Sequence, residues 1–555
     1  MYKEDKVLDN KLRYIKGIAG IGMVILPTII YAKSPESIRI GLESVYKDAY
    51  TIQVKSEYPL EVGYFEEEEW IKEGYLDSEV VNVTLANQTY YSYDEVYSSL
   101  EEAYDVLDHY DSEAVVAYIE PGEYKIYTTD GFEGQNQVYM NENRIQMTDT
   151  YGDTLLISEN ENSPLGFRGS YGAYDFPATG VGDTRIYRGV IEVVRGQSKG
   201  LTAVNQVNME DYLYGVVPCE MSASWHQEAL KAQAVAARSI ATFQYKRFLS
   251  RGYNLVDTTT SQVYRGVTAE DTRSNAAVDA TRGEVATYNG TVAETVYSAS
   301  SGGYTADAQY VWGNAIPYLK AKPDPYESEE NHVDWTRTIT TEELERCVAN
   351  QGQNIGKVEG IRIEGYTTSG RVKALTILGT DGEYTVKNEA TRTFFSGTNE
   401  GSLKSRMYKL TPYDKGIQDG FPSMEQPPQI ENSNEAYIMS SSNSTILDLD
   451  GLWIESETTV SKVQEEVYIQ NGEGIINNIQ MGKTNRLGND DDTRVFRNDE
   501  LIAEAPMTVY GDITLYGRGY GHGVGMSQYG AKGMAEAGFN YEEIIRYYYD
   551  GVIIN

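Results

Sequence analysis

Residues 205–248 read NQVNMEDYLYGVVPCEMSASWHQEALKAQAVAARSIATFQYKRF. Val204 and Val207, then Val216 and Val217, read as a strand-like run that ends at Pro218 and Glu220. Ser224 and Gln227 have the spacing of a capping box, which satisfies free N–H groups at a helix start. The two dozen residues that follow are Ala-rich and strongly helix-forming. Ala229, Leu230, Ala232, Val235, Ala236, Ile240 and Phe243 cover most of that helix, and Lys231, Gln233 and Arg238 are its polar exceptions. A helix that is apolar nearly all round is a buried one. The stretch therefore predicts a carboxylate, Glu220, at a strand-to-helix junction beside one central helix.

Working outward, 555 residues exceed the usual size of one domain. Apolar residues make up 40% of the chain, and its 47 tyrosines suit strands and flat amphipathic surfaces. The formal charge of −36 disfavours nucleic acid, whose phosphates need clustered Lys and Arg. It also disfavours electrostatic adhesion to anionic lipid or anionic wall polymer. Cys219 and Cys347 lie far apart, and spacing does not reveal whether they pair. His109, His226, His332 and His522 lack ligand-like spacing, so no metal or cofactor is expected.

Lys11, Arg13 and Lys16 precede an uncharged apolar run, Gly17–Ala32, closed by Lys33. That order reads as an export segment, with an uncleaved anchor favoured over cleavage after Ala32. The expected location is extracytoplasmic, with membrane contact through this segment only. Residues 1–36 form the tail and anchor. Residues 37–132 read as a small α+β module: strands at Ile38–Leu42 and Tyr50–Val54, a helix at Ser99–His109, then strands at Ala114–Ile119 and Tyr124–Thr128. Residues from Asn136 to Gly200 read as β-rich, with a strand over Tyr187–Val193. An Asn289-Gly290 pair marks a hairpin between Glu284–Tyr288 and Thr291–Ser298. Residues 418–508 read as linker and β insertion. The terminal run GRGYGHGVGMSQYGAKGM, Gly517–Met534, has glycine alternation like a phosphate-cradling loop. No P-loop Lys-Ser/Thr follows, so a tight turn into a helix at Met526–Ala537 is the competing reading. A terminal helix is expected at Tyr541–Tyr549.

The motifs YRGVIEVV, NQVNMEDYLYGVVPCEM, EALKAQAVAARS, YSASSGGYTADAQYVWG, PYLK and GRGYGHGVGMSQYGAKGMA occur in the order seen in SpoIID/LytB-type proteins. On these motifs the chain resembles that family across roughly 184–323, 369–408 and 510–554. Residues 99–128 also resemble half of a SPOR domain, a glycan-binding module. The fold class implied is α+β: a β-rich SpoIID-like domain (133–417 and 509–555) around the Ala-rich helix, with the N-terminal module and the insertion.

The resemblance implies a lytic transglycosylase that cuts the MurNAc–GlcNAc bond of peptidoglycan and leaves 1,6-anhydro-MurNAc ends, in wall remodelling of the sporulation type. It places the catalytic acid/base at the Glu of V-x-x-E-M, here Glu220. Lys231, Gln233, Arg238, Ser301, His522 and Gln528 are the candidates for lining the glycan groove. Some family members carry a His/Cys zinc site near the SSGG loop. Here that loop has Ser298 and Ser300, so the metal is not carried over. The alternative is a non-catalytic amidase enhancer that binds glycan strands beside an N-acetylmuramoyl-L-alanine amidase. The chemistry suits a lone carboxyl: hydrolytic glycosidases use two, but when the sugar's own C6 hydroxyl attacks, one group can give and then take the proton. A nearby helix N-terminus would favour ionised Glu220, so burial by Val216, Val217, Met221 and Trp225 has to outweigh it.

Overall fold

The computed structural model describes residues 33–410 and 507–555, except 87, 108, 111–112, 140–143, 161–163, 196–199 and 328–333, plus the backbone of four strands between 435 and 479. The expected anchor, Gly17–Ala32, and most of the 418–508 insertion lie outside the described residues. No helix among the described residues is long and apolar enough to cross a membrane.

Strands dominate, and they form two large sheets, built almost wholly from residues that precede the central helix. The first runs in the order Leu255–Val256, Ser37–Gly41, Leu201–Asn208, Val190–Arg195, Gly166–Arg168, Leu60–Glu66, Glu69–Leu76. All its neighbours are antiparallel except Ser37–Gly41 with Leu255–Val256. The second has ten strands from Arg185–Tyr187 to Asn136–Val138, and includes Thr51–Lys55, Val80–Leu85, Ala114–Glu120 and Glu123–Thr128. The first strand of the expected N-terminal module, Ser37–Gly41, pairs residue by residue with Leu201–Asn208, so strands from either side of residue 132 share sheets. Hydrogen-bonding edges so far apart in sequence carry no local signal, which is why the boundary at 132 looked plausible. The helix Leu100–Leu107 packs on strands of these sheets.

The central helix, Gln227–Phe243, is buried along nearly its whole length. Its alanines let neighbours approach closely: Thr295 Oγ1 donates to Ala236 O at 2.8 Å, and Ala286 N to Ser239 Oγ at 2.8 Å. The helices Thr272–Ala280, Gln528–Glu536 and Tyr541–Tyr548 complete the packing around it. One hydrophobic core runs from Ile38 to Val552, taking in both sheets and this helix cluster.

A second core gathers Trp335, Leu344, Ile361, Leu375, Phe395 and Tyr408 with Ile513 and Leu515. Its sheets join Trp335–Ile339 and Met407–Lys409 to Ile513–Arg518, and Val358–Tyr366 to Met507–Tyr510. The chain on either side of the insertion is thus stitched together by strand pairing. The Asn289-Gly290 hairpin is present, with both residues at positive φ (50° and 80°), as a type I′ turn requires. The expected strand over Tyr187–Val193 instead breaks at Gly189 (φ 74°), where a Cβ would meet Gln206 O at 2.3 Å.

Candidate active site

Strand Leu201–Asn208 delivers the chain to the site. Asn208 caps the short helix Met209–Tyr214, its Oδ1 accepting from Glu210 N at 2.9 Å. After Gly215 the chain turns again into a one-turn helix, Val217–Glu220, with Pro218 in its first turn, where a missing N–H costs nothing. Val216 and Val217 are therefore not a strand: both are buried helical-segment residues beneath the central helix. β-branched pairs read as strand locally, and tertiary burial overrides that preference here.

Glu220 is the last residue of this turn, so it stands at a helix C-terminus rather than facing an N-terminus. The next helix begins at Gln227 and is capped by His226, whose Nδ1 accepts from Glu228 N at 3.3 Å. The expected Ser224–Gln227 capping box does not form, because Ser224 Oγ is engaged with Ser222 Oγ at 2.9 Å. The Glu220 carboxyl is held from two sides by neutral donors. Val263 N–H donates to Oε1 at 3.1 Å, and Gln528 Nε2 to Oε2 at 3.4 Å. Burial raises its pKa above the ordinary Glu value, and those two bonds offset part of the rise. No other carboxylate is among the groups acting on it.

Behind the carboxyl lies a layer of amides and phenols. Gln528 Nε2 reaches the fully buried Gln233 Oε1 at 3.5 Å. Tyr297 O–H donates to Gln262 Oε1 at 2.7 Å, while Gln262 Nε2 donates to Tyr212 Oη at 3.2 Å and Ala237 O at 3.3 Å. Burial and the charge of Glu220 push both phenols above their usual pKa, so they stay protonated donors. On the open side, the Trp225 and Tyr529 rings stand 5.2 Å apart, with Lys532 Nζ 5.6 Å from the Trp225 ring. Arg273 pins the loop between Glu220 and Trp225, donating to Ala223 O at 2.9 Å and Trp225 O at 3.1 Å.

Of the residues singled out by sequence, Gln528 meets Glu220, Gln233 stands behind it in contact with Gln528, and the others are occupied elsewhere. Arg238 is fully buried and forks onto Glu210, Nε to Oε1 at 3.0 Å and Nη2 to Oε2 at 2.5 Å, with further bonds to Glu284 O and Val278 O. Lys231 pairs with Glu228 at 2.7 Å, and Glu228 in turn accepts from Tyr541 N. Ser301 binds Glu327 through both its N–H (2.8 Å) and its hydroxyl (2.6 Å). His522 is pushed down to about 4 by burial and by Arg392 and Arg371, so it is neutral, with Nδ1 accepting from Val524 N at 3.0 Å. Cys219 is raised to about 11 by burial, which makes its thiol a poor nucleophile. Both cysteines are free. Among the described residues no three His, Cys, Asp or Glu side chains come together as a metal site.

The glycine-rich run is a close-packed turn. Gly519, Gly521, Gly523 and Gly525 all have positive φ, and a Cβ on Gly523 would meet the Arg371 guanidinium at 2.2 Å. It brings Met526–Ser527 alongside Tyr297–Ser298, and Ser527 caps the helix that presents Gln528. Beneath it lies a buried carboxyl pair. Glu327 accepts from Ser300, Ser301 and Ser527, and Asp324 accepts from Tyr548 at 2.9 Å. Burial and the neighbouring Glu327 push Asp324 up to about 7.

Part of this geometry, including Glu220, Gln233, Gln262 and Val263, lies in the stretch that a known family covers, while Tyr297 and Gln528 lie outside it. The family described as SpoIID, stage II sporulation protein, matches residues 197–288, from the strand before Glu220 to the hairpin after the central helix. The chain is similar to the SpoIID/LytB family. Among its relatives, the amidase enhancer of Bacillus subtilis is 29% identical over 347 residues, covering 62% of this chain. The chain spans about 40% of that relative's length. An uncharacterised protein of Brachyspira hyodysenteriae is 28% identical over 355 residues, covering 64% of this chain and 68% of its own. Stage II sporulation protein D of Bacillus subtilis is 26% identical over 371 residues, covering 64% of this chain and 76% of its own. The cluster around Glu220 contains groups that the motifs did not single out: Gln262, the Val263 N–H, Tyr297 and Tyr212. The only local hint was Gln262 between short polar residues and Val263, and nothing linked it to a glutamate 42 residues earlier.

Proposed function

We propose that this chain is a peptidoglycan lytic transglycosylase acting outside the cytoplasmic membrane, in wall remodelling of the sporulation type, with Glu220 as its single acid/base. The observation that carries this reading is a partly buried carboxyl with a raised pKa, held among the described residues by neutral donors and with no second carboxylate of theirs acting on it. Protonated Glu220 gives its proton to the glycosidic oxygen as the bond from MurNAc C1 breaks. The C6 hydroxyl of the same sugar attacks C1, and the Glu220 carboxylate takes the hydroxyl proton. The ring closes to 1,6-anhydro-MurNAc, the proton count is restored and no water is consumed. While ionised, the carboxylate is stabilised by Val263 N–H and Gln528. Gln528, backed by Gln233, offers an amide to the sugar, and Trp225 and Tyr529 offer ring faces.

A second reading is supported by the 29% identity to a protein named amidase enhancer. On that reading the same site binds glycan strands and stimulates a partner amidase without cutting. The test is purified protein on glycan strands, with and without an N-acetylmuramoyl-L-alanine amidase, products read by mass spectrometry. The transglycosylase reading expects anhydro-muropeptides from the protein alone and none from Glu220→Gln. Products that require the amidase would favour the enhancer.

A further inference from the structure

The first sheet ends in a groove of about 710 Å³ lined by residues that take no part in the Glu220 cluster, among them Tyr58, Glu61, Tyr75, Asp77, Arg168 and Tyr171. Its floor is built by strand register. Arg168 is paired with Glu61, and Glu61 with Tyr75, so the three side chains form one row across three strands on one face. Glu61 is 8% exposed. Trp70 Nε1 donates to its Oε1 at 2.6 Å, and Arg168 Nη2 lies 2.9 Å from that same oxygen. Oε2 takes no partner among the described residues. The guanidinium lies over the Trp70 ring at 5.9 Å, and Glu61 is its one ionic partner among the described residues. Trp70 itself sits on glycine: a Cβ on Gly63 or Gly166 would meet its ring at 2.8 or 3.2 Å. Around this polar floor stand Tyr58, Tyr75 and Tyr171, each about half exposed or more, with Lys72 Nζ 3.9 Å over one side of the Tyr75 ring.

A buried carboxylate with a spare oxygen, a guanidinium with spare N–H groups and three exposed tyrosines suit a neutral ligand that has hydroxyls at its edge and C–H groups on its faces. A pyranoside has that shape. An anionic polymer is disfavoured by Glu61 and Asp77, and an aliphatic lipid or peptide side chain would leave the Glu61 and Arg168 donors and acceptors unpaired. We infer that this groove is a second saccharide-binding site, which holds a segment of N-acetylated glycan strand away from Glu220. The choice of an N-acetylated glycan rests on the proposed function; the preference for a pyranoside rests on the groove itself.

The test uses the full chain carrying Glu220→Gln, so that nothing is cleaved, and a chitotetraose bearing a diazirine as the probe. After photolysis, labelled peptides are mapped by mass spectrometry. Label is expected on peptides containing Tyr75 and Tyr171. It should be competed by unlabelled chitotetraose and fall at least about tenfold in Tyr75→Ala and in Glu61→Gln, with Tm checked in each. Label confined to peptides containing Trp225 and Gln528, label undiminished in both variants, or competition by stem peptide instead of sugar would overturn the inference. Because labelling is read without turnover, loss of this site is separable from failure of the Glu220 chemistry.

Discussion

Glu210 and Glu220 lie ten residues apart on consecutive short helices, and their surroundings put them to opposite uses. Glu210 has both oxygens on the buried guanidinium of Arg238, at 3.0 and 2.5 Å, and a third bond from Gly283 N–H at 3.0 Å. Among the described residues Glu220 has no cation, only a backbone N–H and a side-chain amide at 3.1 and 3.4 Å. The first carboxylate is saturated and ties the helix Met209–Tyr214 to the central helix. The second is partly buried and weakly held, so it can give up and recover a proton at modest cost. Burial without a counter-ion raises a carboxyl's pKa, which is what the proposed acid/base role of Glu220 requires.

The contrast can be broken in four ways, in descending order of effect. Glu220→Gln should cut anhydro-product formation by about 10²–10⁴-fold with far-UV circular dichroism unchanged, whereas a loss of fold would make Glu220 structural. Arg238→Met should leave Glu210 charged and buried without its partner, lowering stability by about 3–5 kcal/mol in urea unfolding. Adding Glu210→Gln to it should recover part of that loss. Gln528→Ala removes a bond that favours the ionised form, so the Glu220 pKa should rise further and the alkaline limb of the pH–rate profile should move to higher pH. A modest loss of turnover, about tenfold, should accompany the shift. An unmoved limb would mean that Gln528 binds substrate without touching the acid.

The smallest effect concerns the carboxyl pair under the glycine turn. Asp324 is raised to about 7 from an ordinary value of 3.8, so between those pH values the native state holds a proton that the unfolded chain releases. Stability should therefore fall as pH climbs from about 4 to about 7 and level off beyond, seen as Tm against pH. Asp324→Asn should flatten that slope, and an unchanged slope would show that the proton resides elsewhere.

Sequence alone made the locally determined parts legible. The Ala-rich helix, the Asn289-Gly290 hairpin and the terminal helices at Gln528–Glu536 and Tyr541–Tyr548 rest on spacing and turn chemistry within a few residues. The ordered motifs also pointed to Glu220 and Gln528, which the fold brings together from 308 positions apart. What stayed hidden depends on distant pairing. Val216–Glu220 looked like strand because two valines outweigh Pro218 locally, yet the segment is helical under the buried helix. The capping residue is His226, which no composition rule favours over Ser224. Arg238 looked like a groove residue because it interrupts an apolar helix, and only coordinates reveal its partner on another helix. Glu327 is held by serines of two separate loops, and Asp324 beside it by Tyr548 of the terminal helix.

The lone-carboxyl mechanism makes one claim that no hydrolase can share: the new end of the sugar contains no oxygen from solvent. Running the reaction on purified glycan strands in ¹⁸O-enriched water measures it directly. Products one water lighter than hydrolytic ends, and free of the heavy isotope, are the predicted outcome. Incorporation of ¹⁸O at the MurNAc terminus would mean that a second group activates water, and would contradict the account of Glu220 given above.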